Sequence, residues 1–291
     1  MKLYAASTSA AMPVPLSEHP SSTSYARQRP SLPLRSQTNA AHNSFWIIEI
    51  YCATKTYMPK RQMLLWGGIP CTARSLLAEN YLLSLSNRKS PKICFIPTAS
   101  GDSKEYIERF FRRYRRLNCR PAVLPLFNLS VPNVERLIRN QDILFIGGGS
   151  TLNMLAIWHA RNLEPILKEA VKNGTILSGV SAGSICWFEW GLSDSVSCGK
   201  FEPLRCLGYL PGSSCPHFDG EPGRQKIFRN LIARNQIPAG YAADDGVALH
   251  FVNEKLVEAV SIKSSANAYQ ISAESGKDRQ MVIRPRLLNH E

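Results

Sequence analysis

Ser181 stands in Thr175-Ile176-Leu177-Ser178-Gly179-Val180-Ser181-Ala182-Gly183-Ser184, a serine with glycine at both second neighbours, behind an apolar run and ahead of a helical pattern. This is the local composition of a nucleophile elbow. A side chain on a sharp strand-to-helix turn needs Gly179 and Gly183 so that neighbouring backbones can pass close to a strained residue. The turn would lift the Ser181 hydroxyl away from a sheet and set the Ala182 amide where an oxyanion could be held. A second glycine cluster, Gly147-Gly148-Gly149-Ser150, follows the apolar run Asp142–Ile146 and could aim further amides at the serine. No lysine follows these glycines at P-loop spacing and they do not match G-x-G-x-x-G, so a nucleotide loop is not expected.

A serine nucleophile needs a base. Of the six histidines, His19, His42 and His290 fall in expected tails, His159 on a helix and His250 in a strand. His217, in Ser214-Cys215-Pro216-His217-Phe218-Asp219-Gly220, sits in a loop before a helix and is the best candidate. The acid that orients it is sought between serine and histidine: Asp194, favoured by its polar loop, or Glu189 in a more apolar run.

These pieces need a scaffold with loops gathered at strand ends. From Gln62 the chain alternates: strands at 63–66, 92–97, 122–127 and 142–146, helices at 72–86, 104–117, 131–139, 152–160 and 164–173, then the elbow strand. Strand–helix repeats of this kind predict an α/β fold, a doubly wound, mostly parallel sheet with helices on both faces. Beyond the elbow, 191–216 reads as a loop-rich region, 223–234 as a helix and 241–262 as antiparallel strands. Residues 1–60 form a basic, Ser/Pro-rich extension without period, expected to be disordered, 61–275 the catalytic domain and 276–291 a C-terminal tail.

The net charge of +13 raises nucleic acid as a partner. Residues 1–61 carry seven Lys/Arg against two acids, and one further cluster is Arg109-Phe110-Phe111-Arg112-Arg113-Tyr114-Arg115-Arg116. At helical period Tyr106, Ile107, Phe110, Phe111, Tyr114 and Leu117 form one apolar stripe, so the arginines fit a solvated face behind a cap at Asp102 or Ser103. Nucleic acid is therefore not the expected partner. No apolar run reaches the roughly 20 residues of a bilayer span, and eight cysteines without a C-x-x-C pair suit reduced thiols in the cytoplasm. No membrane partner, metal or other cofactor is expected, and a homodimer is allowed.

The Gly-Gly-Gly-Ser-Thr loop, the Gly-x-Ser-Ala-Gly elbow, Pro-His-Phe and the segment Gly220-Glu221-Pro222-Gly223-Arg224-Gln225-Lys226-Ile227, in this order, resemble the peptidase E (dipeptidase E) family of serine peptidases, to which cyanophycinases are related. The resemblance covers about Gln62 to Ala273. It implies a class I glutamine amidotransferase-like α/β fold, hydrolysis of short peptides through an acyl-enzyme, Ser181 as nucleophile, His217 as base and Asp194 as acid. It places the oxyanion amides on Gly148, Gly149 and Ala182. Ser150 stands where the family's loop usually continues with Asn, and Arg224 is one position from the arginine suited to an aspartyl side chain. Both are expected to face substrate, and the displacement loosens the link to aspartyl specificity. An esterase using the same elbow is the alternative hydrolase, although the chain after His217 lacks the strand–helix pairs of an α/β-hydrolase. A non-catalytic binding protein using the arginine-rich helix is the alternative of another class.

Overall fold

A computed structural model of the chain describes residues 59–289 apart from 71, 73, 130 and 198. The expectation of disorder in the N-terminal extension, and His19, His42 and His290, lie outside the described residues. The first half alternates as its periodicity requires: β1 (Gln62–Trp66), α1 (Ser75–Ser84), β2 (Lys92–Ile96), α2 (Lys104–Tyr114), β3 (Arg120–Val123), α3 (Val134–Arg139), β4 (Ile143–Ile146), α4 (Thr151–Ala160), α5 (Glu164–Lys172), β5 (Ile176–Val180) and the short α6 (Ala182–Ile185). The second half is strand-rich: β6 (Phe188–Ser197), β7 (Lys200–Arg205), β8 (Leu210–Cys215), α7 (Arg224–Ala233), β9 (Gly240–Ala243), β10 (Val247–Val252), β11 (Lys255–Ser261), β12 (Ala268–Glu274), β13 (Lys277–Ile283) and β14 (Arg286–Leu287).

The main sheet runs β14-β11-β10-β1-β5-β4-β2-β3. Its β1-β5-β4-β2-β3 part is parallel, and β10 adds antiparallel to β1. Strand alternation gives the sheet two apolar faces. Met63 and Leu65 of β1 join the cluster containing Ile138, Trp158 and Leu167 from α3, α4 and α5. Leu64 and Trp66 join the cluster containing Leu77, Phe110 and Tyr114 from α1 and α2. Helices thus cover both faces, and the inner strands β1, β2 and β4 read as nearly continuous apolar runs because neither of their faces meets water.

Helix α2 starts at Ser103, whose hydroxyl accepts from the Tyr106 amide at 3.3 Å, while the Asp102 carboxylate accepts instead from the Phe127 amide at 2.6 Å. Its apolar stripe faces the core as the period predicts. One arginine departs from the solvated face: Arg113 turns inward to pair with Glu79 of α1.

Two expectations are corrected. The region 191–216 is not loop: most of it forms β6, β7 and β8, which belong to a second sheet of order β13-β12-β9-β8-β6-β7. Gly191, Ser193, Ser195 and Pro203 dilute the period-two signal there, and pairing across the sheet overrides weak local propensity. The expected tail from 276 also forms strands, with β13 pairing antiparallel to β12 and β14 parallel to β11. Among the described residues no helix is long and apolar enough to cross a membrane.

The C-terminal strands make truncation informative. Ending the chain after Ser275 removes every β12–β13 partner, the Arg229–Asp278 ion pair at 2.6 Å and the buried Leu288. The expected result is a melting temperature lowered by about 5 °C or more. An unchanged melting temperature would restore the reading of this segment as a tail.

Candidate active site

Every residue of β5 is buried, and the strand ends at Ser181 with φ 56° and ψ −117°. A non-glycine residue there stores strain on the order of 1–3 kcal/mol, and the surroundings must hold it. The Ser181 amide donates to the Trp66 carbonyl at 3.2 Å, and its carbonyl accepts from Ser184 and Ile185 at 2.8 and 3.0 Å. A Cβ on Gly179 would lie 2.1 Å from the Gly183 carbonyl oxygen, and one on Gly183 would lie 2.4 Å from that of Ile146. The flanking glycines are thus required by backbone contact on both sides of the serine.

The glycine loop at the end of β4 lies against this turn. A Cβ on Gly148 would meet Ser181 Cβ at 3.3 Å and Oγ at 3.9 Å, and Gly149 has φ 138° in a place where a Cβ would lie 2.2 Å from the Ala99 carbonyl oxygen. Among the described residues the amides of Gly148, Gly149 and Ala182 donate to no backbone carbonyl. The Gly148 amide lies by the Tyr106 hydroxyl. The Ser150 hydroxyl caps α4, accepting from the Asn153 amide at 3.2 Å.

His217 follows β8. Its amide donates to the Gly67 carbonyl at 3.3 Å, and its Nδ1 donates to Asp245 Oδ1 at 2.6 Å. Asp245 lies between β9 and β10, its amide held by the Asp219 carboxylate at 2.8 Å. The hydrogen bond from His217 holds the Asp245 carboxyl below its usual range, aided by the charges of His217, Lys263 and Arg224 and opposed by burial. With Nδ1 committed to the carboxylate, Nε2 is the nitrogen left for chemistry. A Cβ on Gly68 would lie 1.9 Å from Asp245 Oδ1 and 2.8 Å from His217 Cε1, so the pair occupies the space that a side chain at 68 would need.

The carboxylate that meets His217 is therefore not the one expected. Asp194 is exposed on β6, and Glu189 is exposed with its carboxylate accepting from the Gly212 amide at 2.9 Å. Asp245 follows both Ser181 and His217 in the chain, outside the interval in which the acid was expected. The doublet Asp244-Asp245 before Gly246, wedged between two apolar strands, was the available signal. Arg224 is corrected as well. Only 3% exposed, it pairs with Glu221 at 2.5 Å, donates to the Leu192 and Pro216 carbonyls at 3.4 and 3.3 Å and lies over the Phe201 ring at 4.4 Å. It ties the β8–α7 connection to β6 and does not offer a guanidinium to substrate.

Ser181, His217, Gly148 and Gly149 line one cavity of about 380 Å³. The serine hydroxyl and the imidazole share it without a direct hydrogen bond, a spacing that substrate binding can tighten. Of the other described histidines, His159 is exposed on α4, and His250 is buried in β10 with Nε2 3.3 Å from Gln62 Oε1. Among the described residues no group of three or more His, Cys, Asp or Glu is placed to hold a metal ion.

Comparison with known proteins agrees with this architecture. The model of peptidase family S51 matches residues 63–259. The chain is 44% identical over 205 residues to the uncharacterized peptidase YgaJ of Bacillus subtilis, covering 70% of this chain and 88% of that protein. It is 27% identical over 183 residues to peptidase E of Pasteurella multocida, covering 59% and 76%. The solved structure of a peptidase from an acI-B1 Actinobacterium superposes with a TM-score of 0.59 at 18% identity, covering 78% of this chain and 95% of that one, a likeness of fold. The extent of the family match and the likeness to the Bacillus protein establish that this chain is a peptidase and belongs to peptidase family S51.

Proposed function

We propose that this peptidase hydrolyses short peptides by serine chemistry, with Ser181 as nucleophile, His217 as base and Asp245 as the carboxylate that orients it. The observation that carries the reading is the His217 Nδ1–Asp245 Oδ1 hydrogen bond of 2.6 Å on a cavity shared with a serine in elbow conformation. His217 Nε2 takes the Ser181 proton as Oγ attacks the scissile carbonyl. The amides of Gly149 and Ala182, with Gly148 beside them, receive the oxyanion, where each such donor contributes roughly 3 kcal/mol to the barrier difference. The imidazolium, balanced by Asp245, gives its proton to the leaving amine, and water then resolves the acyl-enzyme along the same path. The strained Ser181 turn supports this role, since strain of that kind is kept where it positions a reacting group.

A panel of dipeptides tests the proposal. Ser181→Ala is expected to abolish turnover with folding intact, and undiminished turnover would overturn the assignment. Asp245→Asn is expected to lower kcat by about 10²–10⁴ with KM nearly unchanged, because the imidazole loses its orienting charge and tautomer. Asp194→Asn, on the exposed face of β6, is expected to leave kcat unchanged. A loss confined to Asp194→Asn would reverse the choice of acid.

The depressed Asp245 carboxyl also has a stability signature. Its folded form binds fewer protons than the unfolded chain, so its contribution is complete above the unfolded value of about 3.9. That contribution disappears as pH falls through the lower folded value. Urea midpoints measured at pH 6 and pH 3 should therefore fall less in Asp245→Asn than in the wild type. Equal falls would mean that the pair does not form in solution.

A further inference from the structure

The cavity beside Ser181 has aromatic walls and a carboxylate whose second oxygen is unmatched. Tyr106, Phe110 and Tyr114 of α2 and Phe145 of β4 line it. Glu79 of α1 lines it too, 6% exposed, with Oε1 paired to Arg113 Nε and Oε2 buried without a hydrogen-bond partner. Arg113 is itself fixed, donating from Nη2 to Ser75 Oγ at 2.5 Å. Burial raises the Glu79 carboxyl above its ordinary range while Arg113 pulls it down. An orphaned acceptor at such depth is costly unless something bound there donates to it.

The charges on the cavity restrict what that donor can be. Glu79 is already balanced by Arg113, and Arg109, exposed and 4.4 Å over the Tyr106 ring, adds a second guanidinium. A cationic tip would enter a site whose balance is already positive. An anionic tip would face the unmatched carboxylate oxygen. A neutral donor satisfies Oε2 and meets neither penalty, and a flat aromatic body suits the aromatic walls.

We infer that the cavity takes the side chain on the acyl side of the scissile bond, and that its preferred occupant is tyrosyl, with Glu79 Oε2 accepting from the phenol hydroxyl. Glu79 and Arg113 thereby set specificity. This rests on the serine-peptidase reading and adds the substrate class. A site built to receive a hydroxyl discriminates against the analogue lacking it far more strongly than an apolar pocket can.

The test compares kcat/KM of the full chain for dipeptides that differ only in the first residue: Tyr, Phe, Asp and Lys. The tyrosyl peptide is expected to lead the phenylalanyl one by about tenfold or more. In the double variant Glu79→Met/Arg113→Met, which removes the ion pair without leaving an orphan charge, the Tyr/Phe ratio is expected to fall to about one. Fluorophosphonate labelling of Ser181 reports whether that variant keeps its site, and the wild-type ratio decides the matter if it does not. Equal turnover of Tyr and Phe peptides, or a preference for Asp or Lys, overturns the inference and leaves serine chemistry standing. Absence of turnover on every peptide with Ser181 unlabelled overturns the reading beneath it.

Discussion

The carboxyl end of β1 is the point on which the site depends. Within three residues the chain there meets the serine turn, the histidine loop and the turn that carries Asp245. The Trp66 carbonyl accepts from the Ser181 amide, the Gly67 carbonyl from the His217 amide, and the Gly68 carbonyl from the Gly246 amide at 2.7 Å. The missing side chain at Gly68 is the space in which His217 and Asp245 meet. Backbone hydrogen bonds from one strand end thus fix the serine turn, the histidine loop and the acid turn relative to one another. A constellation held this way owes little to flexible side chains, as preorganisation of a reacting group requires.

The rest of the fold makes that strand end rigid. β1 lies between β5, which leads into Ser181, and β10, which follows Asp245, so both neighbours pair with it directly. Its four apolar residues are divided between the two clusters and are almost completely buried. The second sheet delivers His217 from the end of β8, and buried Arg224 ties that segment to β6. The strain at Ser181 is carried by this framework, and the local sequence around the serine would not hold it alone.

Much of this was readable in the residue pattern and some was not. The elbow glycines were legible because close backbone approach admits no substitute, and the parallel core because strands buried on both faces are continuously apolar. The histidine emerged by elimination. The Asp245 carboxylate beside it did not, because chain order does not dictate which carboxylate the fold brings to an imidazole, and Asp194 looked polar for the ordinary reason that it faces water. Arg224 was misassigned although Glu221 three residues earlier already offered it a partner. Strands β6 to β8 were hidden because serine, glycine and proline carry little period-two signal, and their pairing is set by distant partners. Glu79 could not be singled out, since nothing local distinguishes a carboxylate that faces a cavity from one that faces solvent.

The central claim is that Ser181 is a nucleophile activated by a pair seated against Gly68. Fluorophosphonate labelling of the intact chain, with the adduct located by peptide mass mapping and the rate compared in Gly68→Ala, tests it most directly. A single adduct on Ser181, formed about 10²-fold more slowly or not at all in a folded Gly68→Ala chain, is the expected result. An adduct on another residue, or a Gly68→Ala chain labelled at the wild-type rate, would contradict the account.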